Sequence, residues 1–348
     1  MDVTLASYHT VMLRHGGPKT QILQTKKHLE KMGISVLLLD VWGSRDEILN
    51  SDLFHLFGAN HGMYDLAGYL HSHDIPYVLS PIYFTRRSAG TVRKAVTLTK
   101  AAGQAIRGFM SVSSIMNDIC SWATHILPNT SEEAELVRDS FGIPDEKITV
   151  IPNGVESRFA DATPDLFVER YGMQDFILNV GHIGPDRKNV LSFIRSLKSS
   201  DRPAVIIGQV HPSEEAEECL AEAKKNPNIT IIDGLDHDDP LLASAYAACE
   251  LFALPSKFET PGIAALEAAL AGAKIVITPH GGTKDYFGDY ATYVDPYSET
   301  AISAGIQEAL SKPVDDRLAK HVLDNFLWKH TAQKTADSYA KILQQPLP

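Results

Sequence analysis

Short runs of β-branched and aromatic residues recur along the chain, each followed by a stretch whose apolar positions have helical spacing. In the first half the runs are Val3–Ser7, Val36–Leu39, Leu53–Phe57, Tyr77–Leu79, His125–Leu127 and Ile148–Ile151. The second half repeats the pattern with Phe176–Val180, Ala204–Ile207, Ile229–Ile232, Leu251–Leu254, Lys274–Ile277 and Thr292–Val294. Strands bounded by Gly, Pro or Asp and alternating with helices predict parallel sheets, because a parallel pair needs a long crossover and a helix supplies it. Helix punctuation agrees. Thr130 and Glu133 have capping-box spacing before Ala134–Ser140, Gly272 suits the end of a helix Ile263–Ala271, and the tail Arg317–Leu343 is helical in pattern. The prediction is an α/β protein of two doubly wound, Rossmann-like domains. The turn-rich Pro152-Asn153-Gly154-Val155 marks their junction, giving domains 1–157 and 158–327.

Composition narrows the class. The 348 residues are 44% hydrophobic and 22% charged, which excludes wholesale disorder and an extended coiled coil. No apolar run approaches the ~20 residues of a membrane-spanning helix. Met1–Thr10 lacks the basic start and apolar stretch of a secretion signal, so a cytoplasmic protein is expected. Three distant cysteines, Cys120, Cys219 and Cys249, suggest buried thiols rather than a disulfide framework or zinc site. The formal charge is −11, but residues 1–160 hold 15 Lys+Arg against 16 Asp+Glu, leaving 17 against 27 for the rest. No acid lies between Asp74 and Asp118, whereas Arg86, Arg87, Arg93, Lys94, Lys100 and Arg107 do. A local basic strip on an acidic protein argues for a specific anionic partner and against nucleic acid.

In open α/β sheets ligands bind beyond the carboxyl ends of strands, so the loops there are the places to look for chemistry. Phe176–Val180 is followed by Gly181-His182-Ile183-Gly184-Pro185-Asp186-Arg187-Lys188-Asn189, which delivers two adjacent cations at the expected start of a helix. Positive charge is unfavourable there unless an anion joins it, so Arg187 and Lys188 are candidate phosphate ligands that need no metal. Leu251–Leu254 leads into a loop bearing Glu259 and then an Ala/Leu-rich helix bearing Glu267. A carboxylate in so apolar a helix needs a partner: either a ribose diol or a neighbouring helix. The amides of Gly262 and Ile263 open the same helix and suit a phosphate. Near the N-terminus, His15-Gly16-Gly17-Pro18 permits close backbone approach to a ligand, without the Gly-x-Gly-x-x-Gly spacing of a dinucleotide site. Asp236-His237-Asp238-Asp239 reads as a helix cap rather than a metal site. No metal ligands and no resident cofactor are expected.

Taken together, the Gly16-Gly17 loop, Ile126–Ser131, Ile151–Val155, Arg187-Lys188-Asn189, the Glu259-x7-Glu267 pair and Gly281-Gly282-Thr283 resemble family 4 of the glycosyltransferases. The resemblance runs from about Gly16 to the C-terminal helix and is most specific over Pro255–Gly272. It implies the GT-B fold, two Rossmann-like domains facing each other across a cleft, with the final helix, 328–348, crossing back onto the first. It implies a retaining, hexosyltransferase-type enzyme with a UDP- or GDP-linked sugar as donor substrate. By resemblance, Glu259 contacts the donor sugar, Glu267 the ribose, and Arg187 and Lys188 the diphosphate, while Gly16, Gly17, Gly262 and Ile263 supply backbone contacts.

Two departures stand out. His182 occupies a position where the family often has Arg, and Ile82 one where many members have His; Tyr83, His9, His55 and His61 are candidates to replace the latter. The expected acceptor is a glycan or polyprenyl-linked molecule, as in bacterial surface polysaccharide synthesis. The basic strip, with a helix expected over Val92–Gly108 whose apolar side holds Val92, Val96, Thr99 and Ile106, suggests peripheral contact of residues 83–108 with the anionic inner face of the membrane. The alternatives are an inactive nucleotide-binding relative and a nucleotide-sugar epimerase or hydrolase of the same fold.

Overall fold

Five parallel strands organise the first part of the chain: Asp2–Ser7 (β1), Ser35–Leu38 (β2), Leu53–Phe57 (β3), Tyr77–Ser80 (β4) and His125–Ile126 (β5), in the order β2-β1-β3-β4-β5. β3 is buried at every position, as a central parallel strand covered on both faces must be. The order reverses between β1 and β3, and the loops following such a reversal are where open α/β sheets bind ligands. The computed structural model describes residues 1–13, 16–106, 108–198 and 200–344. His15 and Arg107, both singled out above, lie outside the described residues.

The chain divides into two units, Met1–Asn153 with Trp328–Pro348, and Gly154–Leu327. The helix Trp328–Leu343 joins the first of these, packing Ala332, Ala336 and Tyr339 into a core with Ile22, Leu29 and Phe57. The helical tail expected from Arg317 onward consists of two helices, Arg317–Asn325 and Trp328–Leu343, the second starting where the final helix was expected. The break is fixed by main-chain pairing: the Val155 amide bonds the Phe326 carbonyl at 2.8 Å, and Val155 bridges Leu327.

A sixth strand at Ile148–Ile151 does not form. Ile148 makes an isolated parallel bridge to Ile126; the Ile151 amide still reaches the Pro128 carbonyl at 2.8 Å, but Pro128, two residues on from Ile126, has no amide proton for the ladder bond between. The helix of the basic strip runs Ala89–Ala105 and turns Val92, Val96 and Thr99 inward, whereas Ile106, expected on the same side, lies past the helix end and is 58% exposed.

The second unit contains Phe176–Val180 (β6), Ala204–Ile207 (β7), Ile229–Ile232 (β8), Cys249–Leu254 (β9), Lys274–Ile277 (β10) and Thr292–Tyr293 (β11), ordered β11-β10-β9-β6-β7-β8. This is the doubly wound order of a Rossmann sheet, and its switch point lies between β6 and β9. Phe176, Leu178, Phe252 and Leu254 from those two strands, with Leu266 and Tyr246, form the centre of the core. The two loops expected to carry chemistry thus leave adjacent strands at the switch point. All three cysteines are buried and free.

Candidate functional site

The loop after β6 does not place its cations in the first turn of a helix, as its sequence suggested. Asp186–Lys188 form one 3-10 turn, Asn189 follows with φ 55°, and the helix Val190–Ser196 begins after it. Asn189 ties this loop to its neighbours, its side-chain amide donating to the Pro255 carbonyl at 2.8 Å and the Pro296 carbonyl at 2.7 Å. The Lys257 amide also bonds the Arg187 carbonyl at 2.9 Å. The loops after β6 and β9 are therefore one unit, and their charged side chains meet. Lys188 Nζ lies 2.7 Å and Arg187 Nη1 3.3 Å from the same oxygen, Oε1 of Glu259.

Glu259 is only 5% exposed, which excludes a solvated role. Burial works to raise its pKa, but the charges of Lys188 and Arg187 and the hydrogen bond from Lys188 outweigh it and hold the carboxyl at about 2. Burial lowers Lys188, against the pull of Glu259. The backbone around Glu259 is held by its amide, which bonds the His280 carbonyl at 3.0 Å. Gly281 makes that approach possible: at φ +95°, a Cβ there would lie 2.2 Å from the Glu259 carbonyl oxygen. Gly262, φ +85°, opens the helix Ile263–Leu270, whose first amides have no intrahelical partner.

Glu267 is buried, 3% exposed, and is not brought to these cations. Its Oε2 accepts from the Tyr246 hydroxyl at 2.8 Å and its Oε1 lies 2.8 Å from His237 Nε2. The neighbouring-helix partner that the sequence left open therefore exists, in Pro240–Ala248, and a second partner comes from the loop after β8. Each carboxylate oxygen still has a lone pair, so two further donors can be accepted. Asp239 caps the helix Pro240–Ala248, accepting from the Leu241 amide at 2.9 Å, as its position predicted. Neither His237 nor Tyr246 was singled out as a partner of Glu267 from sequence; a hydroxyl inside an Ala/Leu-rich helix was the available signal. His182, the departure from the family pattern, lies 3.0 Å from His211 through ring nitrogens.

Among the described residues one group has metal-ligand proximity: Glu156, His237 and Asp238, whose ligand atoms lie within 4.8 Å of one another. Arg158 already supplies positive charge there, with Nε 3.2 Å from Glu156 Oε2 and Nη2 4.0 Å from Asp238.

In the first unit, Gly16 and Gly17 are exposed at the start of the helix Gly17–Glu30. Of the four candidates to replace the family histidine, His55 is buried between the Tyr339 hydroxyl at 2.6 Å and Ser80 Oγ at 2.9 Å, with its pKa lowered to about 3 by burial. Tyr83 is buried against Phe141. His9 and His61 are exposed in the segments after β1 and β3, at the switch point of this sheet. Ile82 has φ 50°, an uncommon conformation for a β-branched residue. The adjoining Tyr83 amide donates to Glu133 Oε1 at 2.6 Å, and the Asn129 amide to Oε2 at 2.7 Å. Only half of the expected capping box forms: Thr130 Oγ1 accepts from the Glu133 amide at 3.0 Å, while the Glu133 carboxyl turns to these loop amides. Burial raises that carboxyl to about 7 despite them.

Residues 167–322 match the family described as glycosyl transferases group 1. The chain is 27% identical over 288 residues to a D-inositol 3-phosphate glycosyltransferase of Stackebrandtia nassauensis, an alignment covering 74% of this chain and 63% of that protein. It therefore spans less than two thirds of the length of this curated relative. Among solved structures it resembles the sucrose-phosphate synthase of Thermosynechococcus elongatus, with TM-score 0.76, 18% identity and 99% of both chains covered. It also resembles Anabaena Alr3699/HepE, determined in complex with UDP and glucose, with TM-score 0.71, 14% identity, and 98% of this chain and 100% of that one covered. The resemblance to family 4 of the glycosyltransferases is borne out, and the fold is GT-B.

Proposed function

We propose that the chain is a retaining, metal-independent glycosyltransferase that moves a hexose from a UDP- or GDP-linked donor to a glycan or polyprenyl-linked acceptor in bacterial surface polysaccharide synthesis. The observation that carries the reading is the convergence of Arg187, Lys188 and Glu259 at the switch point of the second sheet. Bond cleavage places negative charge on the departing diphosphate, and two fixed cations with the amides of Gly262 and Ile263 stabilise it where it develops. Glu259 binds sugar hydroxyls. A carboxylate committed to two cations makes a poor nucleophile, so retention is assigned to acceptor attack on the face the diphosphate leaves, guided by the phosphate itself. Glu267 binds the ribose. A cavity of about 600 Å³ beyond β7 and β8, lined by Gln209, Val210, His211, Ile231, Asp233 and Gly234, suits the base. The relatives' names and the UDP-bound neighbour support nucleotide-sugar chemistry.

The first unit handles the acceptor, with Gly16 and Gly17 near its crevice and His9 or His61 in place of the family histidine. Exposed Arg86 and Arg87 precede the helix Ala89–Ala105, exposed Lys94 and Leu98 lie on it, and exposed Ile106, Phe109, Met110 and Val112 follow it, a mixture of basic and apolar side chains that suits an anionic bilayer. Part of the basic strip is engaged elsewhere: Lys100 pairs with Asp118 at 2.9 Å, and Arg93 donates to the Asp139 carbonyl. Among the described residues no helix is long and apolar enough to cross a membrane.

The test is a thermal-shift panel of uridine, guanosine and adenosine diphosphates and their sugars, followed by turnover with the donor that binds, in chelator. A ligand of the folded state raises the midpoint by mass action. Wild type is expected to turn over without metal, and the Arg187→Ala/Lys188→Ala variant to lose donor turnover by at least about 100-fold, each charge-assisted contact contributing about 1.5–3 kcal/mol. No shift with any nucleotide, normal kinetics in the variant, or activity restored only by Mg²⁺ or Mn²⁺ would each defeat part of the proposal. Donor consumption without an acceptor would indicate the hydrolase or epimerase instead.

A further inference from the structure

We infer that His237 is a positioning residue for ribose recognition, clamping the Glu267 carboxylate so that its two remaining lone pairs meet a vicinal diol. The inference rests on the proposed assignment of Glu267 to the ribose. Glu267 stands on a helix whose other buried residues are Ala and Leu, and its Tyr246 partner is neutral. A titratable donor comes from the loop after β8, where His237 places Nε2 2.8 Å from Glu267 Oε1. With one donor already on each oxygen, the carboxylate cannot rotate without breaking a bond, and a carboxylate so fixed has one open acceptor position per oxygen.

The other side of the ring is also acidic. His237 Nδ1 lies 3.3 Å from Asp238 Oδ1 and 3.7 Å from Glu156 Oε2. Arg158, from the 3-10 turn Ser157–Phe159, keeps this side in order, binding Glu156 through Nε at 3.2 Å, donating to the His237 carbonyl at 2.5 Å and lying over the Phe159 ring. The facing charged and titratable groups are thus Glu267, Tyr246, Glu156, Asp238 and Arg158. The hydrogen bond to Glu267 raises the His237 pKa, burial opposes it, Arg158 lowers it and Glu156 raises it, with a net upward shift. Once that proton is lost, the single remaining N–H can sit on Nδ1 toward Glu156, and Glu267 loses its fixed donor. Ribose selectivity should therefore weaken as pH rises through the folded-state pKa of His237.

The experiment measures calorimetric dissociation constants for UDP and GDP and for their 2′,3′-dideoxy forms from pH 5.5 to 8.5, in wild type, Glu267→Gln, His237→Ala and His237→Gln. Wild type is expected to prefer the ribonucleotide, most strongly at low pH, and Glu267→Gln to lose the preference. His237→Ala should lower it at least about tenfold, the scale of one hydrogen bond to a charged group. His237→Gln, which offers a neutral N–H near Nε2, should restore part of it and remove its pH dependence. A preference lost in Glu267→Gln but undiminished in His237→Ala overturns the role of His237 and leaves Glu267 in place. Absence of any preference in wild type overturns the ribose assignment itself. Because the readout is a ratio of two ligands on one protein, a general loss of stability in a variant does not imitate either result.

Discussion

Changing Glu259 to Gln is expected to tighten the binding of a bare nucleoside diphosphate and to leave that of the nucleotide sugar nearly unchanged, because the relief and the loss offset each other there. The carboxylate holds the two cations that the diphosphate would use, with Lys188 Nζ 2.7 Å from Oε1. A phosphate oxygen on the far side of that ammonium, at about 2.8 Å, stands about 5 Å from Glu259. At an effective dielectric of 20 the repulsion is about 3 kcal/mol, and solvent around the diphosphate reduces it, so removal of the charge should tighten UDP or GDP by about 1–3 kcal/mol, roughly 5- to 150-fold. The sugar nucleotide loses a hydrogen bond to a charged group at the same time, about 1.5–3 kcal/mol, so the ratio of the two dissociation constants should rise at least about tenfold. Titration calorimetry measures both. A second readout comes from stability, since Gln resembles the protonated acid. The gap between about 2 in the fold and the ordinary 4.5 corresponds to about 3 kcal/mol. A depressed carboxyl stabilises the fold above its unfolded pKa and loses that contribution as pH falls through the folded one. The urea midpoints of wild type and variant should therefore differ at pH 7 and converge between pH 4.5 and 2. Weaker diphosphate binding in Glu259→Gln, or a stability difference that is the same at pH 7 and pH 3, would refute the competition.

Two further outcomes follow from other parts of the molecule. Vesicles containing anionic lipid should co-sediment the protein at low salt, and Arg86→Gln/Arg87→Gln/Lys94→Gln should reduce this at least about tenfold, each cation contributing about 1 kcal/mol; binding that survives both the substitutions and high salt would remove the basis for membrane contact. Gly281→Ala should reduce donor turnover at least about tenfold, because its Cβ would meet the Glu259 carbonyl at 2.2 Å and displace the carboxylate. Gly272→Ala, at φ +98° but with open space around it, carries similar backbone strain and should leave turnover unchanged, so equal losses in both variants would count against displacement of Glu259 as the cause.

Much of this architecture was legible because strand and loop signals are local. β3 and the helix Pro240–Ala248 fall where apolar pattern and capping residues put them. The convergence of Arg187, Lys188 and Glu259 was half legible: each loop announced itself at a strand end, but their adjacency depends on β9 pairing with β6 rather than with β8. What stayed hidden depends on contacts between distant segments. His237 reaches Glu267 across 30 positions, and the Glu133 carboxyl leaves its own helix cap for the Tyr83 amide, 50 positions away. The missing strand at Ile148–Ile151 has a local cause, a proline in the partner strand's continuation, which the apolar pattern of Ile148–Ile151 alone does not express.

The pairing of Glu259 with both cations bears on why the site can be built at all. Lys188 is mostly buried, and burial lowers its pKa. Two adjacent cations with no anion would favour loss of a proton from the lysine or movement of the loop, and either would remove the positive charge before a donor arrived. Glu259 supplies the anion, and it does so from the loop after β9 that Lys257 and Asn189 bind to the loop after β6. On the proposed reading the diphosphate then takes over this role, and the carboxylate is left as an acceptor for the hydroxyls of the attached sugar. A lone diphosphate gives Glu259 nothing in return for the cations, whereas a nucleotide sugar does, so the same exchange that keeps the resting site charged also favours the intact donor over the spent nucleotide.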